Sequence, residues 1–182
     1  METAPTAEIK TILIICWYST LRASEVGQLT TQNVTCNRMT GALIILVTTG
    51  KGVAFTNPYT VTTVMPTPWA TIVADWIDLR LRTGTTRTPL FTSSTRERNP
   101  ALLMAMRSVQ PQANQRSLRR GAVTRLAATG ATEEELRDFT NHRSNEMLNR
   151  YLGWKAQNTG VSTASTRVAK AALNAPPAKT PK

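Results

Sequence analysis

Histidine occurs once in these 182 residues and cysteine twice, and Asp and Glu are outnumbered two to one by Lys and Arg, 11 against 22. One imidazole, with neither a Cys-x-x-Cys nor a His-Glu-x-x-His pattern, leaves no donor set for zinc. The two cysteines, Cys16 and Cys36, cannot make the disulfide framework of a small secreted domain. Cys16, inside Ile-Leu-Ile-Ile-Cys-Trp, reads as a core residue. The unbroken apolar stretches near 12–18 and 42–47 fall well short of the roughly 20 residues that cross a bilayer. Met1 is followed by acidic and polar residues in place of a basic n-region, so no signal peptide is read. The expected setting is intracellular, with no membrane partner, no cofactor and no metal.

What is present is positive charge. The formal net charge is +11, and 41% apolar content suffices for one core. Residues 1–79 hold four Lys/Arg against five Asp/Glu, and residues 80–182 hold eighteen against six. Such an imbalance points to a polyanionic partner met by the second half of the chain.

Periodicity predicts a mainly α fold with a small antiparallel β-sheet, an α+β arrangement. Ile9, Ile12, Leu13, Cys16 and Trp17 fall at helical spacing over 8–18, and 22–30 continues as a second helix. Two β-rich runs, 41–47 and 53–65, flank Thr-Thr-Gly50-Lys51-Gly52 and predict a hairpin, or a three-stranded sheet. Thr67-Pro68 predicts a helix start, with Trp69, Ile72, Val73, Trp76 and Leu79 facing inward. Residues 83–98 read as a loop, and Asn99-Pro100 as the start of the next helix, with Leu102, Leu103 and Met106 inside. A helix over 117–129 should stop at Gly130, Thr132-Glu-Glu-Glu135 reads as a capping box, and Ser144 as the cap of a last helix. The folded domain is placed at 1–155, with a basic, disordered tail over 156–182.

The sequence from Arg116 to Tyr151 carries the chemistry. Arg116-Ser-Leu-Arg119-Arg120 is followed 23 residues after Arg119 by His142, and nine residues later by Tyr151. Upstream stands Leu21-Arg22-Ala-Ser-Glu25, where Glu25 at i+3 could orient the Arg22 guanidinium. In-line attack on a phosphodiester builds charge on its non-bridging oxygens, so preorganised cationic donors dominate such catalysis. Arginine suits the task because its planar fork grips two oxygens and stays charged. A phenol with a pKa near 10 is a weak nucleophile that nearby cations improve.

In their order and spacing these residues resemble the tyrosine recombinases of the phage-integrase family, over about residues 8–155. The resemblance implies that family's catalytic-domain fold, shared in outline with type IB topoisomerases. It implies Tyr151 as the nucleophile, Arg22 and Arg119 as phosphate-binding arginines, His142 as a further phosphate contact, and Lys51 as the general acid on the hairpin. Arg116 stands where the family usually has His; it can bind phosphate but cannot shuttle a proton near neutrality. Asn141 stands where the family usually has Gly, and Asn tolerates the left-handed conformation. Arg120, Arg143 and Arg150 are candidate DNA contacts beside these positions. Arg80, Arg82, Arg96, Arg98 and Arg107 read as DNA-backbone or surface charges, Tyr18 as core and Tyr59 as a turn residue.

The implied activity is DNA recombination or integration through a 3′-phosphotyrosine, as in a mobile element or its transposition. The implied partners are double-stranded DNA and three further copies of the chain, with an N-terminal clamp domain outside this sequence. The location would be with the DNA, in a nucleus or a nucleoid. Two alternatives use the same residues: a DNA-binding relic without catalysis, and a topoisomerase-like monomer.

Overall fold

The computed structural model describes residues 6–50, 53, 57–85, 87–142 and 144–152 of the chain. Helix α1, Ala7–Ser19, starts where the Thr6 side chain accepts from the Ile9 amide. Its Ile9, Ile12, Ile15 and Cys16 are buried at the centre of the main core. Burial pushes the Cys16 thiol up to about 12, as befits an unreactive packing residue. The helix ends on Thr20 in the left-handed conformation at φ 57°, which turns the chain sharply into α2, Ala23–Val26. The helix expected over 22–30 is therefore a single turn. A 3-10 turn over Thr31–Asn33 follows, held by Asn33 Oδ1 accepting from the Thr30 amide and hydroxyl at 2.9 and 2.7 Å.

Three antiparallel strands form the sheet in the order β1-β2-β3: β1 Val34–Cys36, β2 Ala42–Val47 and β3 Tyr59–Val64. β2 alternates as a half-buried strand should, with Leu43, Ile45 and Val47 inward and Ile44 and Leu46 exposed. β3 pairs along all of β2, from Ala42 with Val64 to Val47 with Tyr59. Tyr59 thus opens a strand instead of sitting in a turn.

Helix α3, Thr67–Arg82, packs on α1 and β1. The face expected for it is wrong at both ends. Ala70, Val73, Ala74 and Ile77 are buried, whereas Trp69 and Leu79 are exposed. The two alanines let the helix approach closely, and the larger apolar side chains border the contact. Trp76 donates through Nε1 to the Leu90 carbonyl at 2.9 Å and stacks on Phe91 with ring centres 6.3 Å apart. Helix α4 spans Thr95–Arg107, beginning before Asn99-Pro100. Its real start is a Ser94/Glu97 capping box, and Pro100, the sixth residue of the helix, gives up one i→i−4 bond in the second turn. Before it, Glu8 of α1 accepts from the Thr92 and Ser93 amides at 3.2 and 2.9 Å. Burial would raise that carboxyl, but these bonds and those from both hydroxyls hold it below its usual value.

The last three helices form a second, smaller apolar cluster. α5, Ser117–Ala128, contributes Val123; α6, Glu133–Thr140, contributes Leu136; α7, Asn145–Leu152, contributes Leu148. The stops and caps read from sequence stand here: Gly130 at φ 89° past α5, the Thr132/Glu135 box on α6, and Ser144 accepting from the Met147 amide. α5 also lies against α1, where Gly121 faces Trp17 so closely that a side-chain carbon would sit 2.9 Å from the indole. The fold class is as expected, mainly helical with a small antiparallel sheet. Among the described residues no helix is long and apolar enough to cross a membrane.

Candidate active site

The functional side chains converge where the two apolar clusters meet. Arg22 sits at the N-cap of α2, and Glu25 of the same turn folds back upon it. Glu25 Oε2 accepts from the Arg22 amide and Oε1 from its guanidinium, both at 2.8 Å. The carboxylate is almost completely buried, so it must be compensated. Its second cation is Arg119, whose Nη1 stands 3.8 Å from Oε2.

Arg119 is 4% exposed and reaches across both clusters. Nη1 donates to the carbonyl of Thr20 at 2.9 Å, at the end of α1. Nη2 donates to the carbonyl of Thr140 at 2.6 Å, at the end of α6. Both carbonyls belong to helix ends, where backbone acceptors lack intrahelical donors. The guanidinium is thereby fixed in one orientation by three elements.

His142 is buried next to it, with Nε2 3.3 Å from Arg119 Nη2. Its tautomer follows from the neighbours. The Thr140 hydroxyl donates to the Leu136 carbonyl at 2.6 Å, so its contact with His142 Nδ1 is donated by the ring. Nε2 then carries the lone pair and accepts from Arg119. Burial, then the charges of Arg119 and Arg22, push the imidazole down to about 4. In this state the ring is uncharged at neutral pH.

Tyr59 is the residue that sequence reading missed. The phenol is half-buried, and Asn141, Glu25, Arg119 and Arg22 all act on its titration. Burial first, and the Glu25 charge second, push its pKa up, against Asn141 and the charges of Arg119 and Arg22. Asn141 itself ends α6 in the left-handed conformation at φ 49°, as anticipated for that position. No sequence motif marked Tyr59, because the groups that act on it lie on distant elements.

The remaining expected residues stand apart or lie outside the described structure. Arg116 is exposed at the N-cap of α5, and its guanidinium makes no hydrogen bond or ion pair among the described residues. Arg120 is likewise exposed. Tyr151 and Arg150 lie on α7, which packs on α5 and α6, but their side chains are not described. Lys51, Arg143 and the tail over 156–182 are outside the described residues. Arg98 is no surface charge. It is 4% exposed and donates to the carbonyls of Gly27 and Ser93 and to the Thr95 hydroxyl, occupying the space that a side chain at residue 27 would fill. Arg80 donates to the Pro89 carbonyl at 3.1 Å. Among the described residues no cluster of three or more His, Cys, Asp or Glu could hold a metal ion.

The model of the phage integrase family matches residues 1–157. Among solved structures, the chain is similar to XerA recombinase, with 18% identity and a TM-score of 0.61 over 93% of this chain. It is similar to the catalytic domain of bacteriophage HP1 integrase, with 18% identity and a TM-score of 0.51 over 90% of this chain and 83% of that one. It also matches the Tn1549 transposon integrase in complex with transposon right end DNA, with 14% identity and a TM-score of 0.59, over 91% of this chain and 58% of that one. The chain spans 59% of the XerA recombinase chain. A comparison with curated proteins finds no match.

Proposed function

Because this chain belongs to the phage integrase family, we propose that it is the catalytic part of a DNA breaking-and-rejoining enzyme that acts in site-specific recombination or integration. The observation that carries the reading is the convergence of Arg22, Arg119 and His142 around the buried Glu25. Two guanidiniums face one carboxylate there, among the described residues. The arrangement suits a phosphodiester, whose single negative charge and paired oxygens match a rigid guanidinium fork.

In the proposed reaction Arg22 and Arg119 hold the non-bridging oxygens. Arg22 keeps a third of its side chain open to solvent, where a ligand can reach it, and Arg119 braces the site from below. Tyr151 gives up its phenol proton to solvent water, its oxygen attacks phosphorus, the bond to the 5′ oxygen breaks, and that oxygen leaves with a proton from Lys51. The product is a 3′-phosphotyrosine and a free 5′ hydroxyl. An arriving phosphate, being anionic, raises the His142 pKa and lets Nε2 take up a proton and donate to an oxygen. The bond energy is kept in the phosphotyrosine, so rejoining is attack by a 5′ hydroxyl on that linkage and needs no nucleotide.

Full recombination requires four copies on two DNA sites and a domain clamping the other DNA face. Exposed Arg116 and Arg120 are placed as DNA-backbone contacts, with Arg143 and Arg150 as further candidates. The test is a nicked duplex in which the 5′ fragment diffuses away after cleavage, incubated with chelator and resolved on a denaturing gel. A protein–DNA adduct that disappears in Tyr151→Phe supports the reading. Salt-sensitive binding to the same duplexes with no adduct would put a non-catalytic DNA-binding module in its place.

A further inference from the structure

We propose that Arg98 and Gly27 form a lock that seats the single turn α2, so that Arg98 is a positioning residue for Arg22 and Glu25. The inference rests on the reading of this site as a DNA-cleaving centre, but the contact that carries it does not.

α2 is one turn long, closed by the Val26 and Gly27 amides donating to the Arg22 and Ala23 carbonyls at 3.0 and 2.9 Å. So short a helix does not hold its own shape in water, and its place is set by what packs against it. Arg22 caps one end, and Glu25 folds back onto that cap. Gly27 closes the other end at φ −67° and ψ −10°, a right-handed conformation open to any residue. The glycine is therefore explained by space and not by backbone. A side-chain carbon there would stand 2.3 Å from Arg98 Nη2 and 2.4 Å from Cζ. The guanidinium thus lies directly on the Gly27 backbone, and Nη1 donates to the Gly27 carbonyl at 3.4 Å.

Arg98 is held in turn by α4 and α1. Nη1 also donates to the Ser93 carbonyl and Nη2 to the Thr95 hydroxyl, both at 3.2 Å. The Ser93 amide donates to Glu8 of α1 at 2.9 Å. The far end of α1 leads through Thr20 into Arg22, so one frame grips α2 at both ends. Among the described residues no carboxylate forms an ion pair with Arg98, and its Nε has no partner. A buried cation so placed is costly, and an apolar side chain of like volume would fill the space without that cost. What the arginine adds is a planar donor on which the glycine backbone rests.

The experiment compares the full chain as wild type, Arg98→Met, Arg98→Lys, Gly27→Ala and the double variant Gly27→Ala/Arg98→Met. Each is measured well below its own Tm, for duplex affinity and for single-turnover cleavage of a nicked suicide duplex at saturating DNA. Arg98→Met and Gly27→Ala should each cleave roughly ten- to a hundredfold more slowly, as a small displacement of a catalytic group does. Affinity should not change, because Arg98 is buried away from any DNA. Arg98→Lys keeps the charge and a donor; it should lose less, and it serves as the milder test where a harsher variant does not fold. Methionine ends near the position of Nε, which leaves the space of Cζ and Nη2 to the methyl added at residue 27. The double variant should therefore cleave no more slowly than Arg98→Met alone. Unchanged cleavage in the folded single variants, with only Tm lowered, makes the contact a packing feature and overturns the proposal. Additive losses in the double variant, or a loss of affinity in place of rate, overturn it too. If wild type forms no adduct with DNA, the catalytic reading fails, and the Arg22 Nε–Hε signal in NMR, assigned by its absence from Arg22→Lys, decides the positioning role. A signal that moves in Arg98→Met upholds that role, and one that stays in place ends it.

Discussion

At the scale of single residues, Glu25 is the counter-charge on which both arginines depend. Its carboxylate is buried, bonds to Arg22 at 2.8 Å and lies 3.8 Å from Arg119. Glu25→Gln keeps the shape and removes the charge, leaving Arg119 buried with weaker compensation. The expected loss is about 3 kcal/mol at pH 7, measured by urea unfolding. His142 gives the protein a distinct pH response. Its folded ring titrates at about 4, while an exposed ring titrates near 6.5. Between those values the unfolded chain binds the proton and the folded chain does not. Stability is therefore full above pH 6.5 and falls as the pH drops toward 4. By pH 5 the loss should be about 2 kcal/mol, and it should be absent from His142→Asn over the same interval. The window is clean because the depressed carboxyls of Glu8, Glu97 and Glu135 begin to lose their contribution only below their usual range.

At the scale of elements, the site depends on how closely α5 approaches α1. Gly121 allows that approach by facing Trp17 without a side chain. Gly121→Val should force the helices apart and cost about 2 kcal/mol, read as a lowered Tm. The same displacement should weaken the Arg119 bond to Thr20 and slow DNA cleavage. Arg22, Glu25, Arg119 and His142 could be picked out from their order and spacing, which resemble the family's pattern. Other features were harder to read. β1 is three residues long and exists only through pairing with β2. The inward face of α3 is set by Ala70 and Ala74, which carry little hydrophobic signal, so large apolar residues misled the periodicity. The Ser94/Glu97 box was overlooked in favour of Asn99-Pro100, although the box is what starts α4. Arg98 looked like one of many surface arginines because only the chain's return past Gly27 buries it.

At the scale of the whole molecule, Arg119 does two things. It faces the proposed phosphate position, and it clasps the ends of α1 and α6, which belong to different apolar clusters. Loss of activity in Arg119→Ala would therefore mix catalysis with packing. Arg119→Lys is the better variant, because it keeps the charge and loses the fork. The charge distribution makes a separate demand. With +12 net over residues 80–182 and −1 over 1–79, binding to duplex DNA should weaken steeply with salt. If six or more phosphates are contacted, affinity should fall about a thousandfold or more between 50 and 200 mM salt, in a titration that follows fluorescence anisotropy. Arg116→Ala and Arg120→Ala should each reduce the salt slope by about one without abolishing binding.

The central claim is a covalent bond between Tyr151 and DNA, and the chain offers only three tyrosines to distinguish: Tyr18, Tyr59 and Tyr151. The most direct measurement is mass spectrometry of the adduct trapped on a suicide duplex, after nuclease trimming and proteolysis. The account predicts a nucleotide linked through its 3′ phosphate to the peptide containing Tyr151. A nucleotide on Tyr18 or Tyr59, or a 5′ linkage on any tyrosine, would contradict it.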